Sequence, residues 1–113
     1  MPDVTRGSLW WADLDPVRGR EQSGRRPVLV IASNAYLTQA DTLAIVLPVT
    51  TTDRSWPNHI RLTGDVALSQ PSFAMTEQPR TITRERLHTH IGHVNAATMV
   101  AIDTWLRDFL ALP

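Results

Sequence analysis

The chain has 113 residues, 42% of them hydrophobic, and no cysteine, which suits one domain with a single core and excludes a disulfide framework or a thiolate metal site. Eleven basic and eleven acidic residues cancel, which excludes a protein that coats nucleic acid by bulk charge but leaves room for a small basic site. No stretch approaches the roughly 20 apolar residues of a membrane span, and Met1-Pro2-Asp3-Val4-Thr5-Arg6-Gly7 has no apolar run behind its charge, so the expected address is the cytoplasm, away from any membrane.

Ser8 to Leu14 mixes aromatic and aliphatic residues with polar ones and predicts a first strand. Pro16 and Gly19 end it and open a loop of about ten residues. Arg26-Pro27 starts a second strand, since proline is tolerated at a strand's first position and not in its middle. Val28 to Ala32 is continuously apolar, as expected of a strand buried on both faces, and Ser33-Asn34 stops it. Thr42 to Thr50 predicts a third strand, with Pro48 marking a bulge or an edge. Residues 51–58 form a polar loop, and His59 to Leu62 alternates as a short half-buried strand. Gly64-Asp65 is expected to turn the chain.

Ser72 to Ile82 alternates as one strand, which would put Glu77 and Gln78 on opposite faces. Thr83 to Arg86 predicts a short helical turn and Leu87 to Val94 a last extended segment. Asn95 is a candidate N-cap. From Ala96 onward Met99, Ile102, Trp105 or Leu106, and Phe109 or Leu110 fall at helix spacing. Asp103 and Arg107 stand four apart on the expected solvent face. Strands first and a terminal helix last give an α+β class: a small, strongly curved, mostly antiparallel sheet or barrel closed by a C-terminal helix, one domain over residues 1–113.

No phosphate-binding glycine loop or nucleophile elbow is present. All basic residues are arginine, most simply a bias in residue usage. Between Val17 and Arg26, however, Arg18, Arg20, Glu21, Gln22, Arg25 and Arg26 crowd one loop, with Gly19 and Gly24 to bend it. Such a loop can present several donors to a single-stranded backbone; equally, it can be an ordinary charged hairpin loop. Arg26 differs because it abuts the buried strand, so its backbone is held. A guanidinium there and the Thr50 hydroxyl at the tip of the next strand can converge on one phosphate. Gln78 and Arg80 can read an unstacked base edge, or lie on an exposed strand. Trp56 is either a stacking platform or a loop anchor. His88, His90 and His93 suit a wet strand face better than a metal site.

Three stretches carry a resemblance. The first runs Arg6-Gly7-Ser8-Leu9-Trp10-Trp11-Ala12-Asp13-Leu14-Asp15-Pro16, then Gly19 and Glu21-Gln22, then Arg26 to Ile31. The second is Val46-Leu47-Pro48-Val49-Thr50. The third is Glu77-Gln78-Pro79-Arg80-Thr81-Ile82, followed by Arg86-Leu87 and Ile91-Gly92. In this order they resemble the MazF/PemK toxins from about residue 6 to 112. Ser23, where many members have glycine, and Pro79, where an aliphatic residue is usual, depart from the pattern.

The resemblance implies a barrel-like sheet of the MazF/CcdB, SH3-like kind, assembled as a homodimer. It implies a sequence-specific, metal-independent endoribonuclease acting on single-stranded RNA with no cofactor, inhibited by a MazE-like antitoxin. It carries the catalytic pair onto Arg26 and Thr50, the family's loop Glu-Gln onto Glu21 and Gln22, and its later Gln-x-Arg onto Gln78 and Arg80; the residues themselves, not the resemblance, offer Arg18, Arg20, Arg25 and Trp56 as further RNA contacts. The same resemblance gives the general base to Arg26, although guanidinium resists deprotonation; Glu21 is the alternative on chemistry alone. Two other readings stand beside it. CcdB-like toxins share the fold and bind gyrase through a C-terminal Trp-Gly-Ile, where this chain ends Phe-Leu-Ala-Leu-Pro. A degenerate toxin would only bind its antitoxin.

Overall fold

In the computed structural model, residues 3–14 and 24–113 are described. They form β1 (Ser8–Asp13), β2 (Arg25–Val30), α1 (Asn34–Gln39), β3 (Leu43–Thr50), β4 (His59–Arg61), β5 (Gly64–Val66), β6 (Phe73–Met75), β7 (Arg80–Thr83), a single 3₁₀ turn (Arg84–Arg86), β8 (Leu87–Val94) and α2 (Ala96–Phe109). Every strand pairing is antiparallel. The sheet runs β4-β6-β3-β2-β1-β8-β5, with β7 also paired to β3. Its two end strands, β4 and β5, are joined by Leu62 and Thr63 alone. A sheet whose opposite ends must meet across two residues cannot stay flat, so it curls into the expected half-barrel.

Side-chain alternation splits the core in two. Trp10, Ala12, Val28, Val30, Ala44, Val46 and Ile82 face one side, where Leu37 of α1 joins them. Leu9, Leu29, Leu47, Val49 and Ala74 face the other, against Met99 and Ile102 of α2. Both faces of β1 to β3 are therefore covered, as the unbroken apolar runs of β2 and β3 required. Trp10 is fully buried and its indole N–H donates to Ser8 Oγ at 2.9 Å, so no polar atom is stranded. Asn95 caps α2 as expected, accepting from Thr98 N at 3.0 Å.

Four expectations are corrected. β2 ends at Val30, short of the expected stop at Ser33, and Ser33 is instead an N-cap, accepting from Tyr36 N, that starts the short helix α1. Residues 64–66 are a strand rather than a turn, because β8 offers them a partner edge. Gly92 makes this close approach possible: with φ near +155°, a Cβ there would sit 1.9 Å from the Asp65 carbonyl oxygen. The span 72–82 breaks into β6 and β7, with Gln78 N bonded back to Met75 O at 3.1 Å in a turn before Pro79. Asp103 pairs with Arg6 across the fold instead of with Arg107 along the helix.

Candidate active site

The site grows out of one register. β2 and β3 pair with Val28 opposite Pro48, Leu29 opposite Leu47 and Val30 opposite Val46. The ladder stops at Pro48, which has no N–H to offer, and the end of β3 turns to β6 instead, with Val49 opposite Ala74 and Thr50 opposite Phe73. Carried two residues further, the β2–β3 register sets Arg26 across from Thr50 on one face. Where the two strands part, a cleft of about 660 Å³ opens. Arg26 and Thr50 both line it, together with Trp11, Arg25, Leu68 and Gln70.

Arg26 is half-buried, and Pro27 next to it fixes the backbone at the strand's start. Thr50 is 8% exposed. Its Oγ1 accepts from Thr52 N at 3.1 Å, which leaves the hydroxyl hydrogen to donate into the cleft. Arg25, next along β2, is exposed and reaches Asp13 Oδ1 at 3.5 Å. His88 Nε2 donates to Asp13 Oδ2 at 2.7 Å; this hydrogen bond, helped by Arg25, holds the Asp13 carboxyl below its ordinary range although solvation loss works against it.

A second group lies beyond β6. Trp56 is 48% exposed and leans on His59, ring centres 4.8 Å apart, with the Arg54 guanidinium 5.5 Å from its ring. The His59 side chain is 2% exposed, and its Nε2 lies 3.0 Å from both carboxylate oxygens of Glu77, which fixes Nε2 as the donor. Burial pushes the Glu77 carboxyl up, but hydrogen bonds from His59, its own backbone and Gln78 outweigh burial and leave it lowered. Trp56 is thus anchored on His59, and about half of its surface stays exposed.

Gln78 and Arg80 are not in the cleft. Gln78 Nε2 donates to Met75 Sδ and Glu77 in the turn before β7. Arg80 stands opposite Val46, four residues and about 13 Å back along β3 from Thr50, though on the same face. Arg18, Arg20, Glu21 and Gln22 lie outside the described residues. The segment holding them leaves at Leu14 and returns at Gly24, whose carbonyl accepts from Leu14 N at 3.1 Å, and Gly24 is itself part of the cleft rim. The histidines are committed elsewhere: His88 to Asp13, and His90 edge-on to Trp10 at 5.0 Å. Among the described residues no three His, Asp or Glu side chains gather as a ligand set. Sequence reading missed the wall formed by Leu68, Ser69, Gln70 and Ser72; its Ser-Gln-Pro-Ser run reads only as loop punctuation.

Residues 5–110 match the family model of the PemK-like, MazF-like toxin of type II toxin–antitoxin systems. The chain belongs to this family. It is 37% identical over 112 residues to endoribonuclease EndoA of Bacillus subtilis, covering 96% of each chain. It is 36% identical over 115 residues to endoribonuclease MazF9 of Mycobacterium tuberculosis, covering 96% of this chain and 98% of the relative. The solved MazF of Deinococcus radiodurans superposes with a TM-score of 0.82 at 25% identity, over 96% and 97% of the two chains. A MazE–MazF structure from the same organism gives 0.79 at 25% identity, over 97% of each chain. The PemK/MazF fold is therefore the fold of this chain, and the curled sheet with its C-terminal helix is what that family predicts. Among the described residues, no helix is long and apolar enough to cross a membrane.

Proposed function

We propose that this protein is an endoribonuclease that cuts single-stranded RNA at particular sequences, and that it is the toxin of a type II toxin–antitoxin pair. The observation carrying this reading is the convergence of Arg26 and Thr50 on one cleft, across the point where β2 and β3 separate. Family membership and relatives named as endoribonucleases support it.

The chemistry is transesterification. The ribose 2′-oxygen attacks the adjacent phosphorus, the bond from phosphorus to the 5′-oxygen breaks, and the products are a 2′,3′-cyclic phosphate and a 5′-hydroxyl. The 2′ proton goes to a base, and the departing 5′-oxygen gains one from solvent water. Arg26 supplies fixed positive charge and donors where negative charge builds on the phosphoryl oxygens, and can hydrogen-bond the leaving oxygen. Thr50 donates its hydroxyl to a phosphoryl oxygen and sets its orientation. Glu21 is the base proposed on chemistry, since a carboxylate accepts a proton at neutral pH and a guanidinium does not. Arg18, Arg20, Gln22 and Arg25 would follow the RNA backbone. The exposed part of Trp56 would stack a base, while Arg80, further back on the face of Thr50, and Gln78 in the turn before it would contact RNA.

No metal or cofactor enters this scheme, because the arginine supplies the cationic stabilisation. The protein would act as a homodimer, held in check by a MazE-like antitoxin. The test is incubation with RNA in EDTA, followed by end-group analysis. Cleavage leaving cyclic phosphate and 5′-hydroxyl ends, and resistance of an RNA with a 2′-deoxy sugar at the cut, are expected. Cleavage of that deoxy substrate at the normal rate overturns the mechanism.

A further inference from the structure

The strand register places a second arginine beside the cleft. Thr50 of β3 stands opposite Phe73 of β6, and Phe73 stands opposite Arg61 of β4. Directly opposed residues in antiparallel strands share a face, so Thr50, Phe73 and Arg61 form one row, with roughly 10 Å between the outer two backbones. The β2–β3 register carried past Pro48, where the strands part, sets Arg26 on the other side of Thr50, and both line the cleft. The row therefore reads arginine, threonine, phenylalanine, arginine across four neighbouring strands.

Cavity geometry makes the same connection independently. A smaller hollow of about 280 Å³ includes Arg61 and Gly64 and shares Leu68, Ser69, Gln70 and Ser72 with the main cleft. The two hollows are thus adjoining bays with a common wall. Arg61 is exposed, and among the described residues its side chain has no carboxylate or hydrogen-bond partner. Phe73 is half-buried and stands between Thr50 and Arg61 in the strand register. An arginine without a protein partner, on the sheet face of the catalytic threonine and opening onto a bay of the same cleft, suits a phosphate better than it suits any group of the protein.

Building on the endoribonuclease reading above, we propose that Arg61 forms a second phosphate subsite, which holds the phosphate next to the scissile one while Phe73 supports the nucleotide between them. The strand would then cross the sheet along the row, from Arg26 and Thr50 over Phe73 to Arg61. Trp56 stands beside the far end, because it rests on His59, which lies two residues before Arg61 on the same face of β4. Alternating cationic and aromatic side chains are what an extended single strand needs, with phosphates neutralised and bases stacked in turn.

The experiment is a double perturbation with an RNA oligomer carrying the enzyme's own cut site. Neutral methylphosphonate replaces either the 5′ or the 3′ neighbouring phosphate, and Arg61→Gln replaces the arginine. Arg61→Gln should lower kcat/KM about tenfold on native RNA. Methylphosphonate at one of the two positions should cost the wild type a similar factor, and the two changes together should cost no more than either alone. The slope of log KM against log salt should fall by about 0.7 in Arg61→Gln, one phosphate contact fewer, and stay at the wild-type value in Arg61→Lys, which keeps the charge. Losses that multiply, or a salt slope unchanged by Arg61→Gln, overturn the subsite while leaving the nuclease reading intact. Wild-type protein that leaves the RNA uncut overturns both.

Discussion

Arg26→Ala removes the one cation that is both half-buried at a strand start and set across from Thr50. The backbone at 26 is held by the β1 pairing, Ala12 opposite Arg26, and by Pro27, so the substitution should delete the guanidinium without moving the chain. A donor positioned where charge develops is worth about 10²–10³ in rate, or roughly 2.7–4 kcal/mol of transition-state stabilisation. Arg25→Ala is the internal control. That side chain also lines the cleft, but it is exposed and partly matched by Asp13. A screened surface charge contributes up to about 1 kcal/mol, so its loss should cost no more than about fivefold. Arg26→Lys keeps the charge and loses the planar fork, and should fall between. The assay is single-turnover cleavage of a fluorogenic RNA, with thermal melts to confirm that each variant folds. Arg26→Ala within a few-fold of wild type, or losses at 25 and 26 of equal size, would refute the argument that register makes Arg26 special.

Thr50→Val should slow single-turnover cleavage about 10–100-fold by removing one hydrogen bond to a charged oxygen, and Thr50→Ser should restore most of it; a fully active valine variant would remove Thr50 from the mechanism. Because the Glu77 carboxyl is lowered from 4.5 in the fold, the native state resists protonation more than the unfolded chain does. Its stabilising effect is complete above pH 4.5 and is lost as pH falls through the lower folded value. The stability gap between wild type and Glu77→Gln should accordingly be open at pH 7 and close well below 4.5, and denaturant melts showing a constant gap would discount the His59–Glu77 contact. An acidic antitoxin peptide should compete with an uncleavable RNA analogue for the Arg26–Thr50 cleft, with both weakened by salt; simultaneous binding measured by fluorescence anisotropy would place the antitoxin elsewhere.

What the sequence determined by itself is local. Apolar runs after Pro27 and Thr42 marked β2 and β3, and helix spacing after Asn95 marked α2, because burial and capping depend on near neighbours. The Arg-Pro and Pro-Val-Thr stretches named Arg26 and Thr50 before any geometry was known. Tertiary structure decided what local signals do not encode. Gly64-Asp65 became a strand only because β8 offered it an edge and Gly92 left the room. Asp103 left its helical partner for Arg6, which arrives from the other end of the chain. The wall at 68–72 and the row from Arg26 through Thr50 and Phe73 to Arg61 exist only once four strands take their register. Register is a property of pairs distant in sequence, set by how the two cores pack and by where Pro48 lets β2 and β3 part.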